Sequence, residues 1–427
     1  VSTNSIFGKC TVVALGTLSP SHGEPDRMLG SSSVRDGNEE DRMELAVRPA
    51  GREQNPLWNE NKMKLGIFGA NVSNGCAMTM AEGRLETTWP NTKMICSTAD
   101  RAGFEALVPV ARWKGFGGPT NFNGTCFETY TWAAAIAAIT DQISVLSTSH
   151  VPTVHPILAA KQATTIDHVS DGRFTLNIVC GWFQPELEMF GAKIMEHDER
   201  YVYASEWLHV LRLLWTSEEE FDFEGKYFRI QKGFHQPKPI QRPFPAIMNA
   251  GGSPVGQRFA AKEADVAFVS VEKHDADTVK SRVDALRRLA HDDFHRSVQV
   301  WNSSYVVCRP TEKEAKDYLN YYVKEKGDWE AVENLVRIFG MQSLALPAHV
   351  LEEFKYHFIA GWSGFPLVGT PEQIVDKLLM LSHSRLDGTA LSFVNYQEEL
   401  PQFIKDVVPL MEQAGLRRAY NPIKQPA

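Results

Sequence analysis

The chain has 427 residues, 43% of them hydrophobic and 22% charged, a composition that supports one large globular domain or two medium ones. Its formal net charge is -8, with Lys and Arg scattered and no basic stripe, which argues against a nucleic-acid partner. The longest apolar run, residues 131–139, is far too short to cross a bilayer, so no membrane association is expected.

Residues 1–61 are rich in Ser, Gly, Pro and charged residues and carry no sustained periodicity, so we expect a poorly ordered N-terminal extension preceding one domain over 62–427. The acidic run at 36–41 speaks against a transit peptide, and there is no signal-peptide core. The six cysteines form no CxxC pair and read as reduced thiols of an intracellular, cytoplasmic protein.

From Met63 onward, short β-like runs alternate with longer helical ones. Strands are expected at 64–68, 106–110, 143–148 and 174–179, with helices at 92–102, 130–140, 155–168 and 200–215. The second half continues with strands at 246–249, 265–271, 298–307 and 391–394, and with helices ending at Glu263 and spanning 371–382. Eight β units separated by helices imply a parallel sheet, and at this size a (β/α)8 TIM barrel whose active site lies at the C-terminal ends of its strands. Two stretches exceed a minimal barrel. Residues 221–245 read as a small hairpin with a proline-stiffened connection, and 317–365 as a long insertion. Insertions at the C-terminal face serve as lids or as surface and dimer contacts, and both readings stay open.

The chain has no GxSxG elbow, HExxH or GxxxxGK[ST] motif. Gly115-Phe-Gly-Gly118 lacks the strand–GxGxxG–helix order of a dinucleotide site and reads first as a loop. His155 and His168 lie too far apart along one helix to share a metal, and no metal site is expected. His150 follows a strand end, where it could line a pocket. Asn177 sits in an apolar strand, where an amide needs a partner, either structural or a bound heterocycle. Arg200, after the acids Glu196, Asp198 and Glu199, could pair with them or face a phosphate.

Three segments then stand out together: His155-Pro-Ile-Leu-Ala-Ala-Lys-Gln-Ala-Thr-Thr-Ile-Asp167, Ser170-Asp-Gly-Arg173, and Asn177-Ile-Val-Cys-Gly-Trp182. With them the chain resembles the bacterial luciferase-like flavin monooxygenases over residues 63–417. Within that family it is similar to two reduced-FMN groups. Gly181-Trp-Phe, His197-Asp-Glu-Arg-Tyr201, Phe223-Glu-Gly-Lys-Tyr-Phe228 and Pro237-Lys-Pro239 resemble dimethylsulfone monooxygenases. Lys114-Gly-Phe-Gly-Gly118 and Glu128-Thr-Tyr-Thr131 resemble pyrimidine (uracil) monooxygenases.

The resemblance implies a TIM barrel that binds reduced FMN (FMNH2) and uses O2, through a flavin peroxide, to oxidise or cleave a small sulfur- or nitrogen-containing substrate. A separate NAD(P)H-dependent flavin reductase would supply the FMNH2, and a dimer or tetramer is usual in such families. By position, Ala111 and Arg112 match a flavin-contacting pair, Asn177 the amide on the flavin ring, and Glu186 the acid after Gly-Trp. Arg200 and Tyr201 match the pair gripping the FMN tail, and Gly252 and Ser253 a phosphate loop, which has a physical basis in the free N–H groups of a helix start. Catalytic roles are expected for Asn177, Thr148 and His150. Ala111-Arg112 replaces the Ile-Lys of the uracil enzymes, and His150 and Phe183 also differ, which leaves the substrate open. An F420-dependent oxidoreductase and a non-catalytic flavin-binding protein are the alternatives.

Overall fold

The structure is a computed structural model that describes residues 52–271, 273–341 and 347–421. Residues 1–51 of the expected extension, with Cys10, lie outside these.

Eleven strands organise the described residues. β1 (Lys64–Phe68), β2 (Ala106–Val108), β3 (Ser144–His150) and β4 (Phe174–Val179) are followed by an antiparallel hairpin of β5 (Phe221–Glu224) and β6 (Arg229–Gly233). β7 (Ala246–Asn249), β8 (Val266–Phe268), β9 (Gln299–Cys308), β10 (Phe365–Gly369) and β11 (Gly388–Ser392) complete the set. Eight of them close into a parallel ring in the order β1-β2-β3-β4-β7-β8-β9-β11, with β11 returning to β1. Helices cover the outside, so the expected (β/α)8 barrel is present.

The alternation of side chains across each strand builds two cores. Outward residues such as Ile67, Val145 and Leu176 pack under the helices. Inward residues Val108, Leu146, Met248, Val266 and Ala390 fill the barrel around Trp301. The strand that faces this indole begins with Gly388, because a Cβ there would lie 2.5 Å from Trp301 Cε2. That placement corrects the last strand from 391–394 to Gly388–Ser392. Phe393 and Val394 follow it and are buried in the loop leading to the next helix.

Three other expectations change. Residues 52–61, read as part of the extension, pack beneath the barrel. Arg52 pairs with Asp265 at 3.1 Å, Asn55 Nδ2 donates to Thr175 Oγ1 at 3.2 Å, and Leu57 is fully buried in the interior core. The helices at 92–102 and 200–215 begin three residues earlier, as Trp89–Arg101 and His197–Thr216. The first is capped by Thr88, and the second carries Asp198 and Glu199 in its first turn, where carboxylates favour the helix dipole. The third change is in the long insertion, 317–365, which holds the end of helix Glu312–Asn320 and helices Trp329–Ile338 and Ala348–Gly361, and which runs at Phe365 into β10, a strand. β9 is long enough to pair with β11 through Trp301–Tyr305 and with β10 through Ser304–Cys308.

Candidate active site

The C-terminal ends of the strands open into a cavity with about 1430 Å³ of empty space, part of it open to solvent. Ala111, Arg112, Thr148, His150, Asn177, Arg200, Tyr201, Gly252 and Ser253 all line it.

Register explains the central pair. β3 and β4 run parallel with Thr148 opposite Asn177, so two inward side chains meet. Thr148 Oγ1 donates to the Pro109 carbonyl at 2.7 Å and accepts from Asn177 Nδ2 at 3.1 Å. The Asn177 amide is thereby held by its nitrogen, and its buried Oδ1 has no partner. An orphan acceptor in a cavity wall is costly unless a ligand N–H meets it.

β7 ends in the same way, with Asn249. Its Nδ2 donates to the Ile178 carbonyl at 2.8 Å and its Oδ1 accepts from Gly251 N–H at 2.9 Å, which fixes the turn that follows. Gly251 lies so close to the next helix that a Cβ would sit 2.6 Å from the Gly256 carbonyl oxygen. Ser253 caps that helix, Pro254–Glu263, by accepting from Gly256 N–H at 3.2 Å. Tyr201 stands beside this turn, and burial pushes its phenol up to about 12. Arg200 donates from Nε to Met195 O at 3.0 Å and from Nη1 to Gly181 O at 2.8 Å. It therefore holds the Gly181-Trp182 loop in place while lining the cavity. Gly181 itself is in the left-handed region, at φ +90°.

The opposite end is aromatic and carries Arg112. Its guanidinium lies 4.8 Å from the Phe116 ring centroid, 5.3 Å from Trp182 and 5.2 Å from Phe183. Glu186 does not line the cavity, contrary to a direct cofactor contact. It is fully buried behind Arg112, 3.3 Å from Nη1, with its other oxygen 3.4 Å from His150 Nδ1. Trp113 N–H and Lys114 N–H donate to it at 2.6 and 3.1 Å. Burial would raise its pKa, but His150 and Arg112 outweigh that and hold it down to about 2.

Gly115-Phe-Gly-Gly118 does not reach the cavity; Phe116 backs Arg112, and Thr120 binds Asp328 at the start of Trp329–Ile338. His155 caps its helix, and the ring of His168 contacts the Lys238 carbonyl at 2.9 Å.

Several lining residues escaped the sequence reading, among them Cys76, Asn249, Ser303, Phe339 and Trp362. Asn249 carried the same signal as Asn177, an amide closing an apolar strand. Phe339 and Trp362 come from the insertion, which therefore borders the site, and nothing in their helical spacing separates a cavity wall from core.

The model of the luciferase-like monooxygenase family matches residues 63–387. The FMNH2-dependent dimethylsulfone monooxygenase of Pseudomonas putida is 30% identical over 361 residues, covering 83% of this chain and 97% of its own. Pyrimidine monooxygenase RutA of a Bradyrhizobium strain is 36% identical over 369 residues, covering 83% and 99%. The crystal structure of DmoA from Hyphomicrobium sulfonivorans shares the fold, with a TM-score of 0.73 at 20% identity over 84% of this chain and 90% of that one.

Proposed function

The chain belongs to the luciferase-like monooxygenase family, and from that premise we propose that it is an FMNH2-dependent monooxygenase acting on a small sulfur- or nitrogen-containing compound. The observation that carries the reading is the orphan acceptor of Asn177, placed between an anion-suited turn and an aromatic recess. Asn177 would accept from an N–H of the reduced flavin ring, with Thr148 keeping the amide from turning. Gly252, Ser253 and Tyr201 would hold the phosphate at a helix start, where the dipole favours an anion. Arg200 adds a positive charge near that end and fixes the Gly181 turn.

When bound, reduced FMN supplies the electrons with which dioxygen is activated toward the substrate. The protein's share is placement and exclusion of water. Trp182, Phe339 and Trp362 close the substrate end with apolar surface, which strengthens every polar contact inside. Arg112 and His150 would orient the substrate there. We further infer that the flavin is reduced elsewhere, by a separate NAD(P)H-dependent reductase, because the chain shows no dinucleotide fingerprint. The test is oxygen uptake with an added FMN reductase across sulfones, sulfonates, pyrimidines and other cyclic amides. Uptake that rises with one class, with oxidised product formed, supports the reading. Tight binding of F420 without oxygen uptake would replace it with hydride transfer on the same barrel.

A further inference from the structure

We propose that the substrate end of this cavity is built for an uncharged molecule and rejects anions, and that Glu186 is the positioning residue that sets the preference. The inference rests on the monooxygenase reading and narrows its substrate class to neutral compounds with an oxo or N–H edge.

Arg112, in the loop after β2, looks at first like a receptor for a sulfonate or carboxylate. Its surroundings say otherwise. The Glu186 carboxylate stands 3.3 Å from Nη1, and the two side chains are 4% and 1% exposed. One full positive charge is matched there by one full negative charge, away from water. An entering anion would meet a dipole, with a carboxylate directly behind it, and would have no net charge to offset its own desolvation. The faces of the guanidinium are also occupied, by Phe116, Trp182 and Phe183, whose π-systems already stabilise the cation.

What Arg112 still offers is hydrogen-bond donation. With Nη1 held against Glu186, the remaining N–H groups of this cavity-lining guanidinium suit the oxygen of a sulfone, amide or urea. His150 supplies a complementary group. Its Nδ1 stands 3.4 Å from the second oxygen of Glu186, and the ring lines the cavity. Glu186 thus neutralises Arg112 and orients the His150 ring from behind the wall, without lining the cavity itself.

The experiment uses the full chain and matched probes: uracil against barbiturate, and dimethyl sulfone against methanesulfonate. FMN is titrated first. Its failure to bind would sink the monooxygenase reading itself and is read separately. Each probe is then titrated calorimetrically into the FMN-loaded protein near neutral pH. The neutral member of at least one pair should bind about tenfold tighter or better than its anion. Glu186→Gln, which keeps an acceptor for Trp113 and Lys114 N–H, should shrink that ratio about tenfold by raising anion affinity. Arg112→Met, which leaves the carboxylate uncompensated, should widen it; this variant decides the matter if Glu186→Gln does not fold. An anion bound as tightly as its neutral partner overturns the proposal. So does a ratio that neither variant changes, or failure of both neutral probes to bind.

Discussion

Glu186→Ala should destabilise this protein far more than the loss of an ordinary loop acid. The carboxylate pairs with Arg112 at 3.3 Å, and both side chains are almost wholly buried. Breaking a buried ion pair by removing one partner costs about 3–5 kcal/mol, because the remaining charge is stranded. Trp113 and Lys114 N–H lose their acceptor too. Trp113 is partly exposed, so water can replace part of that loss. Against a total stability of roughly 5–15 kcal/mol, the change is large enough to shift a urea midpoint plainly. The informative control is Arg112→Met combined with Glu186→Gln, which removes both charges while keeping the volume. Replacing a buried pair with neutral groups is often close to neutral in stability, so the double variant should recover most of the loss. If Glu186→Ala costs less than about 1 kcal/mol, or the double variant is as unstable as the single one, the buried-pair argument is wrong.

Glu186 is held at about 2 against an ordinary 4.5, so its contribution is complete above pH 4.5 and is lost as pH falls from 4.5 toward 2. Comparing urea midpoints of the wild type and Glu186→Gln over that window should show the two curves converging toward low pH; parallel curves would contradict the assignment. Burial lowers His235 and His274 to about 4, so the unfolded chain binds more protons between pH 6.5 and 4. Stability should decline over that interval, and His274→Gln with His235→Gln should flatten the decline. Gly251→Ala drives a methyl into the Gly256 backbone, and overpacking of this kind costs about 1–3 kcal/mol. Fluorescence titration should show FMN bound about tenfold more weakly, and an unchanged affinity would remove the turn from the phosphate site. Leu57→Ala empties part of the barrel floor and should cost about 2–5 kcal/mol in urea unfolding; a negligible change would mean that 52–58 do not seal it.

Much of the barrel was legible because strand and helix periods differ, and the parallel register then did the rest. The strands at 143–148 and 174–179 were legible, but that Thr148 stands opposite Asn177 depends on their register, which the structure supplies. The Gly252–Ser253 turn announced itself by polarity after an apolar strand, whereas Asn249, which closes that strand, went unread. Glu186 was found, but its position was not. Its partner Arg112 lies in the loop after β2, far away in sequence, and no local pattern says whether an acid faces a cavity or a buried guanidinium. β10 was hidden because Phe365-Pro-Leu-Val-Gly is short and contains proline, and its strand character comes from pairing with the far half of β9. Residues 52–61 read as loose because their burial depends on contacts such as Leu57 O with Gln299, far away in sequence. Phe339 and Trp362 carry ordinary apolar spacing, and only the closure of the insertion over the strand ends turns them into cavity wall.

The central claim is that the Asn177, Tyr201 and Ser253 cavity holds reduced FMN. Anaerobic titration of the full chain with photoreduced FMN, in parallel with reduced F420, tests it most directly. Saturable binding of FMNH2 is expected, weakened at least about tenfold by Asn177→Leu and by Ser253→Ala, with F420 bound poorly. Tight binding of F420 with no uptake of FMNH2, or FMNH2 binding that neither variant alters, would contradict it.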